Sequence, residues 1–257
     1  MRRASLILCA SALLTPSAKA FFFGWISESS VVNTPEGPVS VLDLYALFSD
    51  KDELLVGIRE ATITSSNAVF LHDDSAGGSW RPQATSGSAA LDSHVLLGGW
   101  PGPGNSTIFP TGPSPDQADF PNGISWQDGD EVPFQGIPQP LPFINLYGVK
   151  VGRFVTSAIP EDPCSPVAKS FVLSCIVVYQ PFLGGPVLEI SLPHPAVFAP
   201  PILAGDVDAN GNVDGNDLGL LLGSWGPCAS CPADLNADGV VDSADLGLLL
   251  ANWNTCE

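Results

Sequence analysis

Basic residues are scarce in this chain. Nine Lys and Arg stand against 27 Asp and Glu, a formal net charge of −18, and none of the nine lies beyond Lys169. A surface of this sign repels phosphate backbones, which excludes nucleic acid as a partner. Also missing is an apolar run near the ~20 residues that a bilayer-spanning helix needs. The motifs that announce common chemistries are absent: no Gly-x-Ser-x-Gly elbow, no His-Glu-x-x-His, no P-loop, and no Gly-x-Gly-x-x-Gly after a strand. Histidine is limited to His72, His94 and His194, isolated from one another in sequence, so each reads as a surface or packing residue rather than a general base.

What is present begins with an export signal. Met1-Arg2-Arg3 is a basic start, residues 6–14 are apolar, and Ala18-Lys19-Ala20 is a small-x-small cleavage site, so residues 1–20 read as a secretory signal peptide cut after Ala20. A bulky Leu8 before Cys9 speaks against a lipoprotein. Cleavage removes Arg2, Arg3 and Lys19 and no acid, leaving six bases against 27 acids, a formal −21. Five cysteines remain: Cys164, Cys175, Cys228, Cys231 and Cys256. In an oxidising compartment Cys164 with Cys175 is the natural local pair. Cys228, Cys231 and Cys256 bracket one short segment and can staple it, with one left over. The alternative at Cys228-x-x-Cys231 is a zinc or redox site, although zinc lacks further ligands nearby, and the staple is the stronger reading.

Residues 21–192 read as strands and turns. The runs 39–48 and 54–64 are rich in β-formers and are joined by Ser49-Asp50-Lys51-Asp52-Glu53, which predicts a hairpin. Further strands are expected at 68–71, 94–97, 144–157, 170–179 and 187–192, giving a two-sheet β-sandwich of jelly-roll type. Between 98 and 142 the composition turns to Gly, Pro, Asn and Asp with Trp100 and Trp126. Those tryptophans either stack on sugars from an exposed loop or pin the loop to the sheets, and the pinning role is the more common one. Glycoside hydrolysis needs only two carboxylates placed by the fold, so Glu60, Asp73, Asp74, Asp92, Asp128, Asp130 and Glu131 stay open as candidates, beside a simpler role as solvated turn residues. Residues 193–204, with four prolines, read as a semi-rigid linker.

The segment 205–257 carries the sharpest signal, a 12-residue pattern written twice, 28 residues apart. Asp206, Asp208, Asn210, Asp214 and Asp217 place side-chain oxygens at loop positions 1, 3, 5, 9 and 12, and Asp234, Asn236, Asp238, Asp242 and Asp245 repeat them. Gly211 and Gly239 stand at position 6, where such a loop turns sharply. This is the ligand spacing a hard cation such as Ca²⁺ requires. Each loop runs into an apolar stripe at helical spacing: Leu218, Leu221, Leu222 and Trp225, then Leu246, Leu249, Leu250 and Trp253. Most of these eight are expected to face one another as the core of the segment. Proline-rich sequence, not a helix, precedes each loop, so a full EF-hand pair is not expected.

Two such loop–helix units near the end of an exported chain resemble the type I dockerin family. The resemblance spans 205–253. It implies a small all-α module with two half EF-hands related by a pseudo-twofold axis, two Ca²⁺ ions, the main-chain carbonyls of Asn212 and Val240 as position-7 ligands, and docking to a cohesin-like domain. It further implies partner contact through Gly215 and Asn216 and through Ser243 and Ala244; the basic residues that the family places along the helix are absent here. The stretches around 39–45, 91–99 and 149–154 are similar to an uncharacterised β-rich region of exported bacterial proteins ending in dockerin-like repeats. The expectation is a mainly β, non-catalytic, secreted protein attached through its calcium module to a partner protein or cell-surface component. Its rivals are a carbohydrate-active protein, binding or hydrolysing polysaccharide, and a structural protein whose calcium sites only stabilise.

Overall fold

The computed structural model describes residues 3–7, 22–34, 37–64, 66–72, 79–81, 92–98, 106–110, 112–117, 119–129, 135–141, 146–158, 169–198, 205–208, 212–228, 231–236 and 238–253. The chain divides into two compact units. One comprises Met1–Asn33, Val39–Thr156 and Lys169–Ala199; the other comprises Thr34–Pro38, Ser157–Ala168 and Pro200–Glu257. Among the described residues no helix is long and apolar enough to cross a membrane.

The first unit is mainly β and antiparallel. Its strands are β1 (Arg3–Ile7), β2 (Phe22–Thr34), β3 (Gly37–Phe48), β4 (Leu54–Thr64), β5 (His94–Val95), β6 (Ile124–Gln127), β7 (Gln139–Pro140), β8 (Tyr147–Ser157), β9 (Ser170–Gln180), β10 (Leu188–Ser191) and β11 (His194–Val197). One sheet has the order β1-β2-β3-β8-β5, with β7 also on β8; the other has the order β10-β9-β4-β6, with β11 also on β9. Side chains alternate across each strand. On β3 this sends Leu42, Leu44, Ala46 and Phe48 into the main core, where they meet Leu55 and Ile58 of β4 and Phe171, Leu173 and Val177 of β9. The intervening Val39, Val41 and Leu47 serve smaller clusters with Val155, Ile26 and Leu141. Aromatic rings fill the main core, with Phe154 4.6 Å from Phe171 and Trp80 4.9 Å from Phe120, centroid to centroid.

Several expectations are corrected here. The runs at 39–48 and 54–64 are both strands, but they belong to different sheets and form no hairpin. The turn between them crosses the core edge, and Glu53, only 1% exposed, holds it by accepting the Asp50 N–H at 2.7 Å and the Ser49 hydroxyl at 3.4 Å. Residues 68–71 form no strand, because Phe70 turns into the core while Leu71 N–H donates singly to the Val155 carbonyl. Within 98–142 lie β6 and β7, and Trp126 is buried, its indole N–H donating to the Leu96 carbonyl at 3.1 Å. It therefore pins its segment and presents no face to a sugar. Trp100 lies outside the described residues.

The linker expected from residue 193 starts later. His194–Val197 pairs with β9, His194 opposite Leu173, because Ala196 and Phe198 are core residues that no spacer would bury. The rest of the linker, 199–204, is outside the described residues. Cys175 faces the core from β9 as a free thiol, pushed up to about 12 by burial, so its pairing with Cys164 is not formed. Cys164 and Cys256 are also outside the described residues.

The second unit carries α1 (Gly215–Gly223), β12 (Gly226–Pro227), β13 (Val240–Val241) and α2 (Ser243–Ala251). The all-α expectation is thus too simple, since β12 and β13 form a two-stranded antiparallel ladder. The apolar stripes are also divided. Leu221 and Leu249 are fully buried with Val213, Ala233 and Val241, and Leu218, Leu246 and Trp253 pack on them in part. Leu222, Trp225 and Leu250 are instead 52, 50 and 53% exposed. A nine-residue helix turns only one narrow strip to its neighbour, so Leu222 and Trp225 of the first stripe and Leu250 of the second face solvent while the other five pack together.

Candidate metal centre

Each loop runs into its helix through one carboxylate pair. Asp214 is the N-cap of α1, its side chain accepting the Asn216 N–H at 2.8 Å, and Asp217 at N3 reaches back to accept the Asp214 N–H at 2.8 Å. Asp242 and Asp245 repeat this reciprocal box on α2. The box satisfies amides that the first helical turn cannot pair internally, and it sets negative charge against the positive end of the helix dipole.

Position 12 does more than cap. Asp217 is fully buried, and its Oδ1 accepts the amides of Val207 and Asp208 at 2.7 and 3.1 Å. Asp245, equally buried, accepts those of Leu235 and Asn236 at 2.8 and 3.2 Å. The Asp242, Asn236 and Leu235 amides, with that of Asp242 foremost, hold the Asp245 carboxyl below the usual carboxylate range. One carboxylate therefore ties the start of each loop to the start of its helix.

In the first loop this draws acids together: single carboxylate oxygens of Asp206, Asp208 and Asp217 all lie within 4.8 Å of one another. Two oxygens on one Ca²⁺, each at about 2.4 Å, are at most about 5 Å apart, so the three fit a common ion. Asn210 and Gly211 are outside the described residues. Asn212, source of the position-7 carbonyl, is exposed. In the second loop the acids bind their own backbone. Asp234 accepts the amides of Asp238 and Gly239 at 3.1 and 2.9 Å, Asn236 that of Asp238 at 3.0 Å, and Asp238 that of Val240 at 2.9 Å. The turn needs Gly239, whose φ is +90°. Cys228 N–H donates to the Gly239 carbonyl, so the next ladder pair, Pro227 with Val240, is the non-bonded kind and leaves the Val240 carbonyl turned away from β12.

Gly215, Asn216, Ser243 and Ala244 are all exposed at the first turns of the two helices. Just before Asp206, Gly205 is buried with φ +99°, and a Cβ there would come within 3.1 Å of the Leu249 backbone. The matching residue of the second repeat is the buried Ala233. The all-oxygen donor set suits a hard divalent cation and offers nothing to a soft one.

In the first unit two of the histidines are not isolated. His72 and His94 flank Asp92, with Nδ1 atoms 3.5 and 3.6 Å from its two carboxylate oxygens, and all three side chains are nearly buried. His94 Nδ1 also lies 3.0 Å from the Asp92 carbonyl, which can only accept, so Nδ1 carries the proton. Burial lowers the His94 pKa, against the pull of Asp92. Nearby, Arg153 grips Asp43 with two hydrogen bonds of 2.8 and 2.7 Å and Lys150 adds a third contact at 2.7 Å. Burial pushes Lys150 down to about 8. Sequence could not reveal this grouping, because His72 and Asp92 are brought together by backbone bonds between distant segments, Ser93 N–H to the Leu71 carbonyl and Leu71 N–H to that of Val155.

Of the open carboxylate candidates, Asp92 is spent on the histidines, Asp128 accepts the Ser106 hydroxyl, and Glu60 projects to solvent from a bulge in β4, with φ 52°. Asp73, Asp74, Asp130 and Glu131 lie outside the described residues. Compared with family models, with curated proteins and with solved structures, the chain gives no match.

Proposed function

We propose that this is an exported, non-catalytic protein whose C-terminal segment is a dockerin-like module that binds two Ca²⁺ and attaches the β-rich unit to a partner, a cohesin-like domain or another cell-surface component. The convergence of Asp206, Asp208 and Asp217 carries the calcium part, supported by the same cap, the same buried position-12 carboxylate and the same spacing in the second loop. Bound calcium supplies the positive charge that eight aspartates between 206 and 245 need, since no Lys or Arg follows Lys169. Calorimetry on the purified chain should give two sites with Kd no weaker than about 10⁻³ M, the range of extracellular modules. A stoichiometry of zero at millimolar calcium ends the reading.

Docking is favoured over a purely stabilising role by the exposed Leu222, Trp225 and Leu250, apolar groups that a module contacting nothing has no reason to present. Bulky replacements at Asn216 and Ala244 should then spare calcium binding and abolish partner retention in a calcium-dependent pull-down. Undiminished retention would leave calcium as a stabiliser only. A carbohydrate-active first unit is the weaker reading, because Trp126 is buried and the described carboxylates are engaged or dispersed.

A further inference from the structure

The two loops differ in what holds them open to an ion. In the second repeat a disulfide joins Cys228 to Cys231, and each half is bonded to a different part of the loop. Cys228 follows β12, which pairs with β13 at loop positions 7 and 8, and its N–H donates to the position-6 carbonyl of Gly239 at 2.9 Å. The Cys231 carbonyl accepts the N–H of Asp234, the position-1 ligand, at 3.2 Å. The bridge therefore ties the residue that presents the first ligand to the strand that presents the seventh. Both cysteines are only partly buried, between the exposed Pro227 and Pro232, so a small reductant reaches them. The first repeat has no counterpart: 28 residues upstream stand Pro200 and Leu203.

We propose that the Cys228–Cys231 disulfide is a redox control on the second calcium loop alone. The proposal rests on reading both loops as calcium sites. Closed, the bridge keeps Asp234 and Val240 at a fixed separation, so that the loop does not lose that order on binding. Opened, it leaves loop and strand held by the continuous backbone and by the Cys228–Gly239 and Asp234–Cys231 hydrogen bonds, without the cross-link. The opening step is thiol–disulfide exchange with a dithiol: a thiolate of the reductant attacks one sulfur, the S–S bond breaks, and the reductant's second thiol then attacks its own first sulfur and displaces the protein cysteine from the mixed disulfide. The reductant ends as its own cyclic disulfide, and its two electrons and two protons end on the Cys228 and Cys231 thiols. The first loop, built on the same cap without a bridge, is insensitive to this exchange.

The test uses the full exported chain with glycine-selective isotope labelling, in which the amide signals of Gly211 and Gly239 report the first and second loops. Calcium is titrated before and after treatment with dithiothreitol. The expected result is a midpoint at Gly239 that rises about tenfold, in line with the dependence of such sites on rigidity, while that at Gly211 stays put. Equal shifts at both glycines, or none at Gly239, overturn the proposal. If neither glycine responds to calcium while the bridge is closed, the calcium reading itself has failed. A Cys228→Ala/Cys231→Ala variant should bind like the reduced chain and ignore dithiothreitol, and a variant that still responds counts against the bridge. Should that variant not fold, the titration of the native sequence decides by itself.

Discussion

The two units bury very different amounts of apolar surface. The β-rich unit packs large side chains such as Trp80, Trp126, Phe48, Phe154, Phe171 and Phe198 into its core, all with almost no exposure. Among its described residues the C-terminal unit's hydrophobic cluster buries Val213, Leu221, Ala233, Val241 and Leu249, beneath two helices of nine residues. Helices that short do not hold alone in water, and eight aspartates with no base among them repel one another. The first unit is therefore stabilised by burial and the second by whatever neutralises its loops. Each of the following outcomes breaks or sharpens that contrast.

Chelation should have the largest effect, and only on one side. Two sites filled at a hundredfold excess over Kd contribute about 5 kcal/mol, most of what a unit this small can command. Calcium removal should abolish the helical circular-dichroism signal while the β signal and the buried environment of Trp126 persist, and calcium should restore it. A helical signal that survives chelation would show that Leu221, Leu249 and the disulfide suffice.

Next comes the division of the helical stripes. Leu221→Ala should cost the C-terminal unit about 3 kcal/mol, whereas Leu222→Ala, one residue away and half exposed, should cost less than about 0.5 kcal/mol. Thermal melts in saturating calcium measure both. Equal losses would mean that Leu222 also packs against something.

The smallest net effect belongs to the sheets, where two buried groups oppose each other. Burial pushes Glu53 up to about 7, against the Asp50 and Ser49 bonds, and pushes His194 down to about 4. Folded Glu53 keeps a proton that the unfolded chain releases near pH 4.5, so its contribution to stability is full below pH 4.5 and is lost as pH rises through 7. Folded His194 refuses a proton that the unfolded chain accepts below pH 6.5, so its contribution is full above pH 6.5 and falls away toward pH 4, by roughly 3 kcal/mol in all. The parent's urea midpoint should change little between pH 7 and pH 4.5. Glu53→Gln should expose the His194 loss as a midpoint falling with acid, and His194→Phe should expose the opposite slope. A Glu53→Gln variant as flat as the parent would refute the linkage.

What the sequence made legible was local. β3, β4, β8 and β9 lie where runs of β-formers are dense, and the loop positions, position-6 glycines and helix starts can be read off because ligand, turn and cap fall within twelve residues. What stayed hidden depends on distant partners. A five-residue turn such as Ser49–Glu53 can close a hairpin or cross between sheets, and only the partners of β3 and β4 decide between the two. β2 mixes Ser and Glu with its apolar residues, and β6 sits inside Gly/Pro-rich sequence, so neither stands out. The His72–Asp92–His94 grouping exists only once the sheet has formed. The fate of the leucine stripes depended on how much of a short helix its neighbour can cover.

The crossing between β3 and β4 bears on the order in which the molecule assembles. Because β3 closes locally onto β2 and not onto β4, its other edge waits for residues far down the chain: Asp43 meets Arg153 across 110 positions, and Trp25 of β2 meets the Leu192 carbonyl across 167. The two aspartate-rich loops close over ten, from Val207 to Asp217 and from Leu235 to Asp245. Folding rate falls steeply with the sequence distance of the contacts that must form. On dilution from denaturant into calcium, the C-terminal helices should therefore appear in a fast phase while Trp126 enters its buried site in a slower one. On the proposed reading, a chain threaded out of a cell would then present a finished C-terminal module on a body that is still folding.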